Sequence, residues 1–251
     1  MEIFKGKVAL VTGGGQGIGR GIALALAAEG ASVAVVGRTP SKLDDTVREI
    51  ARRGGQAAAY PGDVSDESAV DAIVGRVVED LGPLKILVNA AQEYSFGSIT
   101  EMNLDGLESG WRSGAVGTLH LMRAAYPHLI GGGVVINLSS GAASETNPQG
   151  LGGYAAVKAA IDSLSRAAAI EWAPDSIRVV TLIPFARTPA VASVLDANPG
   201  MEEMILSTVP LKRFADLETE IGRAAVFLAS TDAAFITGSS LVVDGGSTYL
   251  R

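Results

Sequence analysis

The chain has 251 residues and a mass of 25.7 kDa; 47% of its residues are apolar and 19% charged, with 20 basic against 27 acidic side chains and no cysteine. A net charge of −7 argues against phosphate-backbone binding, so no nucleic-acid partner is expected, and zero cysteine excludes disulfides, iron–sulfur clusters and thiol nucleophiles. No apolar run approaches the roughly 18 residues of a membrane span, and the start enters a strand pattern with no signal-peptide apolar region, so a cytoplasmic, membrane-free protein is expected.

Val8–Val11 reads as a buried strand, and Ile18–Glu29 as a helix closed by Gly30. Ser32–Val36 is a second strand. Ser41–Arg53 is helical, with Ser41 as its cap and Gly54-Gly55 as its stop. Gln56–Tyr60 is a third strand, Asp66–Leu81 a third helix and Ile86–Val88 a fourth strand. Two helices follow, over 103–112 and 115–130. Gly133–Leu138, Tyr154–Trp172 and Ile177–Leu182 read as strand, long helix and strand. A less regular helical region spans 189–208, then come a helix over Leu217–Ala229 and a last strand, Leu241–Val243.

The strands are Val/Ile/Leu runs without polar alternation, so both sheet faces are covered. Alternating strands and helices then predict an α/β fold, a parallel sheet with helices on both sides, over one domain, 1–251. An eight-fold barrel is the rival architecture, and the first turn decides against it.

That turn is Thr12-Gly13-Gly14-Gly15-Gln16-Gly17-Ile18-Gly19, between a strand and a helix. Gly13 permits the turn, Gly17 lets backbone approach a pyrophosphate and Gly19 lets the helix pack on the strand. The helix N-terminus supplies N–H groups to the anion. After strand 2, Val36-Gly37-Arg38 lacks the acid that binds an adenosine 2′-hydroxyl and offers an arginine suited to a 2′-phosphate. NADP(H) is the expected cofactor, with NAD(H) still open, because Gln16 brings no second positive charge to the turn. Tyr154 and Lys158, four apart, share a helix face. A cation there is expected to lower the phenol's pKa and fit it for proton transfer. His120 and His128 share a helix with no carboxylate pattern and read as packing or surface residues, so no metal site is expected.

These motifs, with Gly62-Asp63-Val64, Leu87-Val88-Asn89-Ala90, Ser139-Ser140, Ile177-Arg178-Val179, Phe227-Leu228-Ala229-Ser230 and Val243-Asp244-Gly245-Gly246, resemble the short-chain dehydrogenase/reductase family over essentially the whole chain. The resemblance implies a Rossmann-like doubly wound sheet in order 3-2-1-4-5-6-7. It implies a dinucleotide held by Gly13, Gln16, Gly17, Ile18, Gly19, Arg38, Asp63, Val64, Asn89, Ala90, Tyr154, Lys158 and Thr188. Ser140 would polarise the substrate carbonyl, Tyr154 would be the acid/base and Lys158 would tune it. The family's assemblies imply a homotetramer or homodimer through the long central helices.

Four positions depart from the family pattern. Gln92 stands where a glycine is usual, close to the cofactor. Gly114 stands where the asparagine that holds a proton-relay water is usual, so the relay must be rebuilt or weakened. Ser140 precedes Tyr154 by 14 residues, one more than usual, which leaves Ser139 as a second candidate. The turn after strand 6 reads Pro184-Phe185 and is one residue short. Gln92, Glu145 and Phe185 are candidate substrate contacts, Tyr94 and Trp111 candidate pocket walls, and 188–209 a candidate lid with an apolar face including Met201, Met204 and Ile205. The expected reaction is NADP(H)-dependent interconversion of a carbonyl and an alcohol on a small, partly apolar substrate. Reduction of an enoyl or dienoyl thioester, and a dinucleotide-binding sensor or scaffold, remain alternatives.

Overall fold

The computed structural model describes residues 2–94, 96–144 and 150–248. Seven strands form one parallel sheet: β1 (Val8–Thr12), β2 (Ser32–Gly37), β3 (Gln56–Pro61), β4 (Leu84–Asn89), β5 (Val134–Leu138), β6 (Arg178–Pro184) and β7 (Ser240–Val243). Their order is β3-β2-β1-β4-β5-β6-β7, an open sheet and not a closed barrel. The order reverses between β1 and β4, whose carboxyl ends therefore border the crevice where such sheets bind ligands.

Nine helices flank the sheet in the described residues: α1 (Gly17–Ala28), α2 (Pro40–Arg52), α3 (Glu67–Leu81), α4 (Leu104–Trp111), α5 (Gly117–Leu129), α6 (Gly152–Glu171), α7 (Pro189–Ala197), α8 (Met201–Thr208) and α9 (Arg223–Ala229). Successive strand residues face opposite ways. Ala9, Val11, Val33 and Val35 pack under α1, α2 and α9, while Val8, Leu10, Ala34 and Val36 pack under α3, α5 and α6. Among the described residues no helix is long and apolar enough to cross a membrane.

Two readings from the sequence need correction. Ser41 does not cap α2; the helix opens one residue earlier on Pro40, whose fixed φ suits the first helical position. The two helices expected over 103–130 are joined by a π turn, Arg112–Val116, that carries an extra residue where Ser113 and Gly114 weaken the helix. The less regular region near 189–208 divides into α7 and α8, separated at Gly200.

Candidate active site

The glycine turn is built as a backbone cradle. Gly13 and Gly17 have φ of +65° and +54°, where a side chain is strained. A Cβ on Gly13 would lie 3.0 Å from the Ala90 carbonyl oxygen, so the turn sits against the end of β4. The buried Thr12 hydroxyl joins the two strand ends, accepting from the N–H groups of Ala90 at 3.0 Å and Ala91 at 3.1 Å. Ile18, in the first turn of α1, packs on the core. Thr188 caps α7, and its Cβ would be 3.6 Å from a Cβ built on Gly17. The start of α7 therefore adjoins the cradle.

The groove continues along β2, β3 and β4. Asp63 closes its own turn, accepting from the Ser65 N–H at 2.9 Å, and Val64 is buried against Gly117. Asn89 donates to Asn137 Oδ1 at 2.8 Å, leaving Asn89 Oδ1 buried and unpaired among the described residues. A bare cradle, a buried unpaired acceptor and a cleft of about 310 Å³ beside Arg38 and Asp63 fit a dinucleotide. Arg38 is not free: it pairs with Glu93, whose other oxygen accepts from the Ser109 hydroxyl. Those bonds hold the Glu93 carboxyl below its ordinary pKa. The turn itself holds no second cation, but one reaches it from outside. Lys42, from the first turn of α2, donates to Gln16 Oε1 at 2.5 Å. Spacing hid it, because the fold of α2, not the turn's own sequence, brings Lys42 to Gln16.

Tyr154 and Lys158 stand on the first turns of α6, with the Lys158 ammonium 5.6 Å from the centre of the Tyr154 ring. Ser139 and Ser140 leave β5 on opposite sides, as strand alternation requires. The Ser140 hydroxyl accepts from the Ala142 N–H at 3.2 Å and lies toward Tyr154, whereas the buried Ser139 hydroxyl lies toward Asp162 and has no hydrogen-bond partner among the described residues. Of the two serines, Ser140 is the one on the Tyr154 side. The expected lowering of the phenol does not occur in the chain alone: burial drives the Tyr154 pKa up to about 12, against the pull of the Ser140 hydroxyl. Lys158 is itself buried, which brings its pKa down to about 7, and its ammonium donates to the Leu138 carbonyl at 2.6 Å. A desolvated lysine that favours its neutral form stabilises a phenolate poorly.

One aromatic ring contacts Tyr154, and two further aromatic contacts lie in the loops. Tyr94 lies on Tyr154 at 5.6 Å between ring centres and stacks on Phe96 at 6.0 Å, and Phe185 stacks on Phe214 at 4.9 Å. Phe96 and Phe214 carry no sequence motif, because loops set their positions. Trp111 is exposed beside the π turn. Gln92 is buried against Gly114. Glu145, and the insertion over 145–149, lie outside the described residues. His120 Nδ1 is 3.4 Å from the Val64 carbonyl oxygen, and His128 sits in the last turn of α5.

A family model described as "Enoyl-(Acyl carrier protein) reductase" matches residues 13–248. The chain is a short-chain dehydrogenase/reductase. It is 39% identical over 256 residues to a 12α-hydroxysteroid dehydrogenase of a Clostridium species, covering 98% of both chains. A solved 7α-hydroxysteroid dehydrogenase, complexed with NADH and 7-oxo glycochenodeoxycholic acid, superposes with a TM-score of 0.92 at 32% identity, over 98% of this chain and 96% of that one. A short-chain dehydrogenase of Burkholderia cenocepacia in complex with NADP superposes at 0.90 with 30% identity, over 98% and 99%. Short-chain dehydrogenase/reductases are NAD(P)-dependent oxidoreductases, and this chain carries the fold, the glycine cradle and the tyrosine–lysine pair of that family.

Proposed function

We propose that this short-chain dehydrogenase/reductase interconverts a carbonyl and a secondary alcohol on a flat, largely apolar substrate, with NADP(H) as the preferred cofactor. The observation that carries the reading is the meeting of Ser140, Tyr154 and Lys158 at the carboxyl edge of the sheet, beside the cradle. Gly13, Gln16, Gly17, Gly19, Asp63, Val64, Asn89, Ala90 and Thr188 hold the dinucleotide, and Arg38 with Lys42 favours its 2′-phosphate. Bound there, the dinucleotide supplies or accepts the hydride. Ser140 donates a hydrogen bond to the substrate oxygen, and Tyr154 delivers the proton to that oxygen or removes it. The ammonium of Lys158 fixes the nicotinamide ribose and, once charged, pulls the Tyr154 pKa back down.

Tyr94, Phe96, Phe185 and Phe214 suit an apolar ring system, and the two similar hydroxysteroid dehydrogenases support a polycyclic alcohol. The segment 188–209 closes over that substrate as a lid, its hinges at Pro189, Pro199 and Gly200. The chain assembles as a homotetramer or homodimer through α4, α5 and α6, where Leu104 and Ile170 present exposed apolar side chains; sedimentation measures the assembly. The deciding experiment follows NADPH absorbance with hydroxysteroid ketones, simple ketones and enoyl thioesters. Turnover of ring ketones that Tyr154→Phe abolishes supports the reading. Turnover confined to thioesters selects double-bond reduction, and tight NADPH binding without any turnover selects a sensor.

A further inference from the structure

Glu93, in the loop after β4, is tied to three elements at once. Its carboxylate pairs with Arg38 after β2 and accepts from the Ser109 hydroxyl on α4. Its N–H donates to Ser113 Oγ in the π turn at 3.0 Å. The helix α4 runs close against the same stretch, since a Cβ on Gly110 would lie 3.2 Å from the Glu93 carbonyl oxygen. The next residue is Tyr94, whose ring meets that of Tyr154 at 5.6 Å between centres, tilted by 60°. Arg38 and Glu93 line one cleft, with Asp63, Ser109 and Ser113. Two consecutive residues therefore join that cleft to the ring of the phenol at the proposed reaction centre.

We propose that Glu93 couples the cofactor's 2′-phosphate to the binding of ring substrates, by holding Tyr94 against Tyr154 until the phosphate takes Arg38. The inference rests on the roles assigned above to Arg38 and to a polycyclic substrate. A substrate oxygen at the Tyr154 hydroxyl brings the rest of the substrate into the space that Tyr94 occupies. A small ketone fits with Tyr94 in place, whereas fused rings require that side chain to withdraw. Withdrawal pulls on the anchors of Glu93, its neighbour in the chain. A 2′-phosphate competes with the Glu93 carboxylate for the guanidinium and so removes the anchor to Arg38, leaving those to α4 and the π turn. Tyr94 then withdraws more readily. NADH carries no such phosphate, so the Arg38–Glu93 pair stays closed and the loop stays fixed. The phosphate and the ring system thus favour the same loop position, and by linkage each strengthens the other's binding by the same factor. The pair is largely solvent-facing, which bounds that factor at about 1.5–5-fold.

NADPH and a polycyclic alcohol are both reduced and cannot react, so their joint binding is read without turnover. Fluorescence titrations of NADPH and of NADH, each with and without a saturating hydroxysteroid, give the coupling directly. In the unmutated protein the hydroxysteroid tightens NADPH about 1.5–5-fold more than it tightens NADH. A short acyclic alcohol shows no such difference. Glu93→Gln breaks the ion pair whichever cofactor is bound, so the effect on NADH rises to match that on NADPH. Arg38→Ala breaks the same pair from the other side and also equalises the two, which keeps the test open if the glutamine variant misfolds. Tyr94→Ala leaves the ion pair in place and removes the ring it restrains, and the difference disappears there as well. A direct electrostatic effect of the phosphate on the alcohol would survive that change.

An equal, non-zero effect of the hydroxysteroid on both cofactors in the unmutated protein overturns the inference alone. A difference that persists in the Glu93 and Arg38 variants, or in Tyr94→Ala, overturns it equally and leaves Glu93 as a surface ion pair. A hydroxysteroid that alters the binding of neither cofactor overturns the polycyclic substrate of the proposed function, and the coupling falls with it.

Discussion

At the scale of a single residue, the proposed cofactor preference rests on Arg38, whose ion pair with Glu93 sets the terms of the test. A 2′-phosphate must draw the guanidinium away from Glu93, so the two anions compete for it. Arg38→Ala removes a charge-assisted bond of about 1.5–3 kcal/mol, which weakens NADPH roughly 10–150-fold. NADH, lacking that phosphate, changes little. Glu93→Gln acts in the opposite sense: an exposed pair is worth about 0.2–1 kcal/mol, so NADPH binds roughly 1.5–5-fold tighter. Fluorescence titrations of both cofactors against both variants check the pair, and equal effects on NADH and NADPH dismiss the phosphate role. Arg38 was legible in the sequence because it follows a strand end. Its partner was not, since Glu93 lies 55 positions away and only sheet order places β4 near the end of β2. Lys42 and the Tyr94–Tyr154 contact escaped for the same reason, each depending on how loops and neighbouring helices pack.

Among the elements, α1 shows how closely the fold depends on missing side chains. A Cβ on Gly21 would run into the Leu217 carbonyl oxygen, a backbone atom with no freedom to yield. Gly21→Ala therefore costs about 1–3 kcal/mol of strain. Gly75, exposed within α3, meets nothing within 4 Å, and Gly75→Ala gains about 0.5–1 kcal/mol. Urea unfolding of the two variants tests the contrast, which fails if both move the midpoint the same way. The strands could be read in advance as unbroken apolar runs, because both sheet faces are covered, and the long helices by the periodicity of their one buried face. The π turns over 112–116 and 217–222 could not. A weak helix former such as Gly114 signals a break equally well as an inserted residue, and packing on α6 decides which occurs.

For the whole molecule, the buried lysine ties stability to pH. Unfolded, Lys158 keeps its proton up to about 10.5; folded, burial lets it go near about 7. Between those values the unfolded chain binds the extra proton, so stability rises with pH by up to about 1.4 kcal/mol per unit. Below about 7 both states are protonated and the destabilisation is complete. Tyr154 acts oppositely at higher pH, because its folded pKa is raised from 10.0 to about 12 and its contribution is lost as pH climbs through that range. Without cofactor, Lys158→Met should exceed the unmutated chain in stability at pH 7, and the gap should narrow by pH 9. A constant gap across that range, measured by urea unfolding, removes the lysine from the explanation.

The contact between Asn89 and Asn137 has a consequence for how the sheet assembles. Asn89 on β4 donates to Asn137 on β5, which donates in turn to Ser165 on α6 at 2.8 Å, and Ser165 donates to the Ile161 carbonyl. Most of the surrounding strand residues are interchangeable hydrocarbons that slide past one another at little cost. This polar thread breaks that degeneracy. If β5 zipped onto β4 one residue out of step, both amides would be left in apolar surroundings without partners, at about 1–3 kcal/mol for each group. The thread thus rejects misaligned intermediates during folding.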